Sequence, residues 1–148
     1  MASYAENRKA RFDYEILEKY ESGIELLGSE VKSVRGGQMS LEGAFVIVRG
    51  GEAYLINANI PPYQPKNTPK DYDPLRNRKL LLTKKEINSL AGSEKNKSLT
   101  IVPISVYNKG RKIKVLIALV KGKKKQDKRE SIKKRETDRE IRREYKDR

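Results

Sequence analysis

The last 28 residues of the chain cannot build a hydrophobic core, so the fold must come from the rest of the sequence. From residue 121 onward there are 14 Lys or Arg residues and 7 Asp or Glu residues, but three sizeable apolar side chains. Burial of so little apolar surface cannot offset the conformational entropy that folding removes. We therefore expect one folded domain in residues 1–120 and a basic tail in residues 121–148 that is unfolded when alone in water.

Positive charge is concentrated in this tail. The whole chain carries a formal net charge of +14, and the tail holds +7 of it in under a fifth of the length. Clustered charge of this kind indicates a polyanionic partner, and nucleic acid is the leading candidate. A membrane partner is disfavoured, because no apolar run approaches the roughly 18 residues that a spanning helix needs. The start lacks the apolar segment of a secretory signal, and Cys is absent, so we expect a cytoplasmic protein.

Two β-rich segments predict hairpins. In residues 44–60 the two apolar runs flank Gly50-Gly51, and a two-residue turn favours paired glycines because both positions need positive φ. In residues 99–120 a turn is predicted at 108–110, and apolar side chains alternate along the strand that follows it. Each segment therefore predicts two antiparallel strands.

One further strand is predicted nearer the start of the chain. Phe12, Tyr14 and Ile16 fall on alternate positions within residues 12–20, which is the period of a strand with one buried face. Pro103 lies in the first strand of the second hairpin. Because proline lacks a backbone donor, it predicts a sheet edge or a bulge there.

Two short helices are predicted between the strands. Residues 29–37 begin with Ser29 as a possible N-cap and close with glycines. Residues 83–92 begin with Thr83, and Glu86 follows three positions later, which is the spacing of a capping box. Helices of this length add to a fold that the strands dominate.

The pattern as a whole predicts a mainly β fold with helices. Residues 61–78 contain five prolines and predict an irregular surface loop. Short strands, hairpin turns and few helices favour a small OB-like β-barrel, a class that commonly binds nucleic acid. A β-sandwich explains the pattern nearly as well, because periodicity does not separate the two architectures.

The sequence offers little chemistry for catalysis. It contains no His and no Cys, which removes the commonest general base, the usual zinc ligands and the usual nucleophile triads. Its glycine pairs lack the context of a phosphate-binding loop. We therefore predict a binding protein that is not an enzyme and has no cofactor and no metal.

Basic residues beside aromatic ones predict contact with RNA near the start of the chain. The segment has three basic residues that can follow phosphates and two aromatic residues that can stack on a base: Arg8, Lys9, Arg11, Phe12 and Tyr14. A second basic cluster spans residues 76–86. The alternative interpretation is a solvated surface with two core aromatics.

Three stretches resemble, in order and spacing, the SsrA-binding protein (SmpB) family. They read "NRKARFDYEILEKYESGIELLGSEVKSVRGG", "DPLRNRKLLLTKKEI" and "ALVKGKKKQDKRESIKKRE". Members of this family are partners of transfer-messenger RNA (tmRNA) in trans-translation. The resemblance implies an OB-type barrel that binds the tRNA-like domain of tmRNA and is required for tmRNA to enter stalled ribosomes. It also implies an indirect effect on alanyl-tRNA synthetase, because the protein improves alanylation of the tmRNA that it binds.

The resemblance also implies which residues of the body touch RNA. By motif match, the implied tmRNA-binding positions are Asn7, Lys9, Arg11, Glu21, Arg78, Lys79, Leu81 and Lys114. Tyr14 joins them as the stacking candidate of the aromatic pattern. The sequence alone would place Leu81 in the core.

The resemblance gives the tail a ribosomal role. In the family the tail is disordered in free solution and becomes helical in the decoding centre and the empty mRNA channel of the small subunit. The implied ribosome-binding residues are Lys123, Lys124, Gln126, Asp127, Lys128 and Arg129. Relatives often carry His at two positions where this chain has Phe12 and Gln126, so this chain offers no imidazole at either position.

A structural or assembly protein of the ribosome, bound permanently to ribosomal RNA, is the alternative function. It would also explain the charge, since both classes bind RNA phosphates. For either function we expect a monomer that does not interact with membranes.

Overall fold

The computed structural model describes residues 3–122, so the tail from residue 123 lies outside the described part of the chain. Within those residues, strands and helices alternate irregularly along the chain. In order they are β1 (Ser3–Glu6), α1 (Arg8–Asp13), β2 (Tyr14–Ile24), α2 (Gly28–Arg35), β3 (Phe45–Arg49), β4 (Glu52–Ile56), a 3-10 turn (Pro65–Asn67), β5 (Arg78–Leu81), α3 (Lys84–Glu94), β6 (Leu99–Lys109) and β7 (Lys112–Gly122).

Six of these strands pair in a closed ring. The order is β6-β3-β4-β5-β2-β7, and β7 pairs again with β6, while β1 adds to β6 from outside the ring. All of the pairings are antiparallel. The prediction of a mainly β fold with helices is confirmed. Among residues 3–122, no helix is long and apolar enough to cross a membrane.

The core lies on the inner face of the ring. Its fully buried members come from both the strands and the helices that cover the ends, and they include Leu55, Ile117, Val34 of α2 and Leu90 of α3. A second, smaller cluster lies on the outer face of β6 and β7, where Ala10 of α1 packs over the sheet. Helix α1 covers this part of the outer face, whereas Lys112 at the other end of β7 is exposed.

The hairpin predictions are confirmed, with one shift. Gly50 and Gly51 have φ values of 60° and 75°, as a tight turn between β3 and β4 requires. The turn of the second hairpin falls at residues 110–111 instead of 108–110, because Lys109 still pairs with Lys112. Pro103 does produce the predicted irregularity, since the register of β6 against β7 shifts after it.

The helix predictions are correct in place and partly wrong at the ends. Thr83 and Glu86 form the predicted capping box of α3, but the helix continues past Gly92 to Glu94. The N-cap of α2 is Leu27, not Ser29, and it has no capping side chain of its own. The carboxylate of Glu30 instead accepts a hydrogen bond from the Leu27 N–H at 2.8 Å.

The strand predicted at residues 12–20 begins later than expected, at Tyr14 of β2. Phe12 belongs to α1, because the Asn7 side chain caps this helix by accepting a hydrogen bond from the Ala10 N–H at 3.1 Å. Strand β2 then runs from Tyr14 to Ile24. The strand prediction at Phe12 is therefore wrong. The alternation of apolar residues continues from β2 back into the end of α1, so the predicted strand included a helical residue.

Candidate RNA interface

One row of paired residues crosses the outer face of four strands. Leu81 of β5 pairs with Gly23 of β2, Gly23 with Lys114 of β7, and Lys114 with Tyr107 of β6. Residues directly opposite each other in antiparallel strands have side chains on the same face. Successive side chains of a strand point to opposite faces. Because Leu80 is buried in the core, the face that carries Leu81 points away from the core. We call these four residues the outer row.

Leu81 is half exposed in this row. Its side chain keeps 50% of its accessible surface, so the expectation from sequence alone, that Leu81 belongs to the core, is wrong. A Cβ atom added to Gly23 would lie 3.1 Å from the Leu81 Cβ. Glycine at this position therefore allows the Leu81 side chain to lie against β2. The exposed half of the Leu81 side chain is available for apolar contact with a partner.

Glu21 lies next to the outer row on the same face of β2. Its carboxylate accepts hydrogen bonds from the Tyr107 hydroxyl at 2.5 Å and from the Lys109 Nζ at 3.0 Å. These hydrogen bonds lower the pKa of Glu21 from its ordinary value. Burial and the bond to Glu21 raise the pKa of Tyr107 to about 12. At neutral pH the site therefore presents a carboxylate held by a neutral phenol and a lysine.

Lys79 and Arg78 are neighbours in β5 that face opposite ways. Lys79 points outward with Leu81, and its Nζ lies 2.8 Å from an oxygen of Glu52. Arg78 points inward and has no exposed surface. Its guanidinium donates to Glu30 at 2.8 and 2.6 Å and to the Ala58 carbonyl at 2.8 Å. In this conformation the Arg78 side chain has no surface with which to touch RNA.

Glu30 is the centre of a buried ionic cluster. Arg76 also donates to its carboxylate, and the Tyr72 hydroxyl lies 3.1 Å away. Burial alone would raise the pKa of Glu30, but the hydrogen bonds from Arg76, the Leu27 N–H and Arg78 outweigh it and hold the pKa at about 2. The cluster ties the proline-rich loop and the start of β5 to α2. It thereby fixes the strand that carries Lys79 and Leu81.

The remaining predicted residues of the body lie on or beside α1. Asn7 is buried, and its amide donates to the Pro103 carbonyl at 2.9 Å. Lys9 is exposed, Arg11 lies on the same helix, and Tyr14 packs partly against the outer cluster of β6 and β7. A depression of about 390 Å³ beside Lys9 and Tyr14 is open to solvent.

Apart from the buried Asn7 and Arg78, the predicted residues of the body lie in two groups. Glu21, Leu81 and Lys114 meet at one end of β2 and β7, whereas the α1 group lies at the other end, where Tyr14 pairs with Gly122. The tail residues Lys123, Lys124, Gln126, Asp127, Lys128 and Arg129 lie outside the described residues.

Sequence reasoning missed Tyr107, although it anchors Glu21. The first half of β6 shows no alternation of buried and exposed residues that would predict the direction of Tyr107, because residues 101–106 are all buried. Within residues 3–122, no group of three or more acidic residues could hold a metal ion.

Comparisons with known proteins give one consistent result. The family model described as "SmpB protein" matches residues 4–147. An SsrA-binding protein of Thermosynechococcus vestitus is 49% identical over 97% of this chain and 95% of its own length. An SsrA-binding protein of Sulfurihydrogenibium sp. is 54% identical, covering 96% and 93%.

A solved structure agrees with these relatives. A chain from the work described as "tmRNA-SmpB: a journey to the center of the bacterial ribosome" superposes with a TM-score of 0.68 and 47% identity, covering 86% of this chain and 92% of that one. The match is close in both sequence and fold, and the family model covers the body that carries the outer row. This chain belongs to the SmpB family.

Proposed function

We propose that this protein is an RNA-binding adaptor that binds the tRNA-like domain of tmRNA and is required for the delivery of tmRNA to stalled ribosomes in trans-translation. The observation that best supports it is the meeting of Glu21, Leu81 and Lys114 on one exposed face, in a chain of the SmpB family. An apolar side chain, a cation and a fixed carboxylate on one surface can contact bases as well as phosphates. The protein itself catalyses no reaction in this proposal.

Two kinds of role are proposed for the residues of the body. Direct contact with tmRNA is assigned to exposed or half-exposed residues: Lys9, Tyr14, Glu21, Lys79, Leu81 and Lys114. Arg11 is assigned to the same contact from its place on α1. Asn7 and Arg78 act as positioning residues, because their side chains are buried and bonded within the protein.

The division of labour between body and tail is also part of the proposal. Residues 1–120 would grip tmRNA, and residues 121–148 would bind the decoding centre and the mRNA channel of the small ribosomal subunit. The electrostatic attraction between the positively charged tail and the phosphates of ribosomal RNA supports this assignment. The protein would act in the cytoplasm as a monomer and would affect alanyl-tRNA synthetase only through tmRNA.

A salt titration tests the grip on RNA. Because each neutralised phosphate contributes about 0.7–0.9 to the slope of log affinity against log salt, the affinity of the full chain for the tRNA-like domain should fall steeply with salt. Lys114→Gln should reduce the slope by about one such contribution, whereas Lys97→Gln, an exposed lysine outside the outer row, should not. A flat titration would contradict phosphate binding.

Two further experiments separate the proposal from its alternatives. Deletion of residues 123–148 should leave affinity for the tRNA-like domain intact and abolish tagging of stalled peptides; loss of both would contradict the division of labour. A structural ribosomal protein would remain at one copy per washed ribosome. An adaptor should instead copurify with tmRNA and with stalled ribosomes.

A further inference from the structure

A groove lies beside the outer row, where the ends of β2 and β7 approach α2. Its volume is about 340 Å³, at the small end of the range for ligand pockets. It opens next to Gly23, which lies in the row between Leu81 and Lys114 and whose missing side chain lets Leu81 lie against β2. A volume of that size can hold a single ring system but not a nucleic-acid helix.

The walls of the groove are largely apolar. They are formed by aliphatic side chains from β2, the segment after it, α2, β5 and β7: Ile24, Leu26, Val31, Leu81 and Ile113. All five are half-buried or exposed, so part of their apolar surface remains open. Aliphatic walls of this kind favour an uncharged group that loses water on entry.

The rim of the groove is cationic. Two arginines and two lysines line it: Arg35, Arg111, Lys112 and Lys114. Among the described residues, no carboxylate lines it. The guanidinium of Arg35 donates from α2 to the Arg111 carbonyl at 3.0 Å, which links the two sides of the groove. The rim is therefore suited to anionic groups on either side of an apolar insert.

We infer that this groove receives one unpaired nucleobase of the bound RNA, while the rim cations contact the phosphates that flank that base. The inference rests on the proposed function and deepens it. An extruded base has the required form, because it is a flat, weakly polar ring with a phosphate on each side. Stacking on an aliphatic surface and on arginine planes does not depend on which base is present. The groove therefore selects a base because it is unpaired, and not because of its identity.

The chain's own tail is a poor occupant. Residues 123–148 carry 13 basic and 7 acidic residues, so their net charge has the same sign as the rim. Repulsion of like charges disfavours this segment in the groove, whereas a polyanion is attracted to it.

The test uses the full chain and a transcript of the tRNA-like domain of tmRNA. Each unpaired loop nucleotide is replaced in turn by an abasic one. For the wild-type chain, one position should lose about 10- to 100-fold in affinity, the range expected for one stacked base. Val31→Phe, which fills the groove, should lose a similar factor with intact RNA and nothing further with that abasic RNA.

Two more variants keep the test decisive. Leu81→Ala removes one wall at a half-exposed site, so folding is preserved, and it should reduce the abasic effect at the same position. Leu17→Phe is the matched control, because Leu17 is 45% exposed on β2 but does not line the groove. Its abasic effect should equal that of the wild type, and melting curves should show all three variants folded.

Each other outcome overturns the inference in a distinct way. If all abasic losses are the same in wild type and in the groove variants, no base enters the groove; a retained preference for tRNA-like RNA over random RNA would then leave the proposed function standing. If deletion of residues 123–148 makes Val31→Phe harmless, the groove holds the tail. If the wild type shows no preference for tRNA-like RNA, the proposed function fails as well.

Discussion

Two glutamates of this protein have similar partners and different surroundings. Glu30 is bonded to Arg76 and Arg78 and lies beside the Tyr72 hydroxyl, and Glu21 is bonded to Lys109 and the Tyr107 hydroxyl. The Glu30 side chain has 0% of its surface exposed, whereas the Glu21 side chain has 35%.

The difference in exposure separates structure from recognition. Once buried, a carboxylate and its guanidinium partners depend on each other, because either one alone would be an uncompensated charge. An exposed carboxylate is solvated with or without its partners, so its bonds contribute little to stability. The first cluster should therefore hold the fold, and the second should remain available to a ligand.

The strongest test of this contrast is Glu30→Gln. The variant leaves Arg78 buried without its counter-charge, so the free energy of unfolding should fall by about 3–5 kcal/mol. Urea unfolding of the full chain measures it. Glu21→Gln makes the same chemical change at the exposed cluster, and its unfolding midpoint should match that of the wild type. Equal losses in the two variants would contradict the contrast.

Acid should reveal the same asymmetry. The pKa of Glu30 is about 2 in the folded chain against an ordinary 4.5, so the unfolded state takes up the proton first as pH falls. The stability that Glu30 contributes is complete above pH 4.5 and is lost as pH falls from there towards 2. The loss is on the order of 3 kcal/mol.

Urea midpoints measured between pH 5 and pH 3 should show this loss beginning in the wild type. The difference between wild type and Glu30→Gln should narrow as the solution becomes more acidic. A constant difference over that range would mean that Glu30 is not the titrating group.

Glu21→Gln should act on RNA choice. A carboxylate beside Lys114 repels phosphates that are wrongly placed, and it accepts hydrogen bonds from base donors that are correctly placed. The variant should bind random RNA more tightly and lose about tenfold in preference for the tRNA-like domain. Competition binding measures the ratio, with Glu15→Gln as an exposed control on the same strand. An unchanged ratio would exclude a discriminating role for Glu21.

The smallest expected effects come from the two tyrosines. The Tyr72 hydroxyl lies 2.7 Å from the Ile60 carbonyl, so Tyr72→Phe should lower the free energy of unfolding by about 1 kcal/mol. Tyr107→Phe should leave unfolding unchanged and weaken RNA binding about threefold, because Glu21 loses a donor that orients it. The reverse result would show that the two clusters had been assigned the wrong roles.

Local signals in the sequence predicted local structure well. Paired glycines identified the β3–β4 turn, and Thr83 with Glu86 identified the start of α3, because the residues concerned lie within one turn of each other. The N-cap of α2 was missed because Glu30 supplies the capping carboxylate from inside the helix. Spacing alone does not distinguish that arrangement from a serine cap.

The candidate site was less accessible to sequence reasoning. The burial of the charged Arg78 side chain depends on Glu30, which lies 48 residues away in sequence. Strand alternation does contain the answer for Leu81: once Leu80 is in the core, its neighbour must face outward. Tyr107 meets Glu21 across 86 residues, and no pattern in either segment predicts that pair.

Strand β7 has a mechanical consequence for an adaptor. It runs without interruption from Lys112 to Gly122, held between β2 and β6 along its length. Lys114 and Gly122 are eight positions apart, which is roughly 26 Å of extended chain. Because β7 is paired on both sides, it holds the start of the tail at that distance from the outer row. When the outer row is bound to RNA, the position from which the tail extends is therefore fixed.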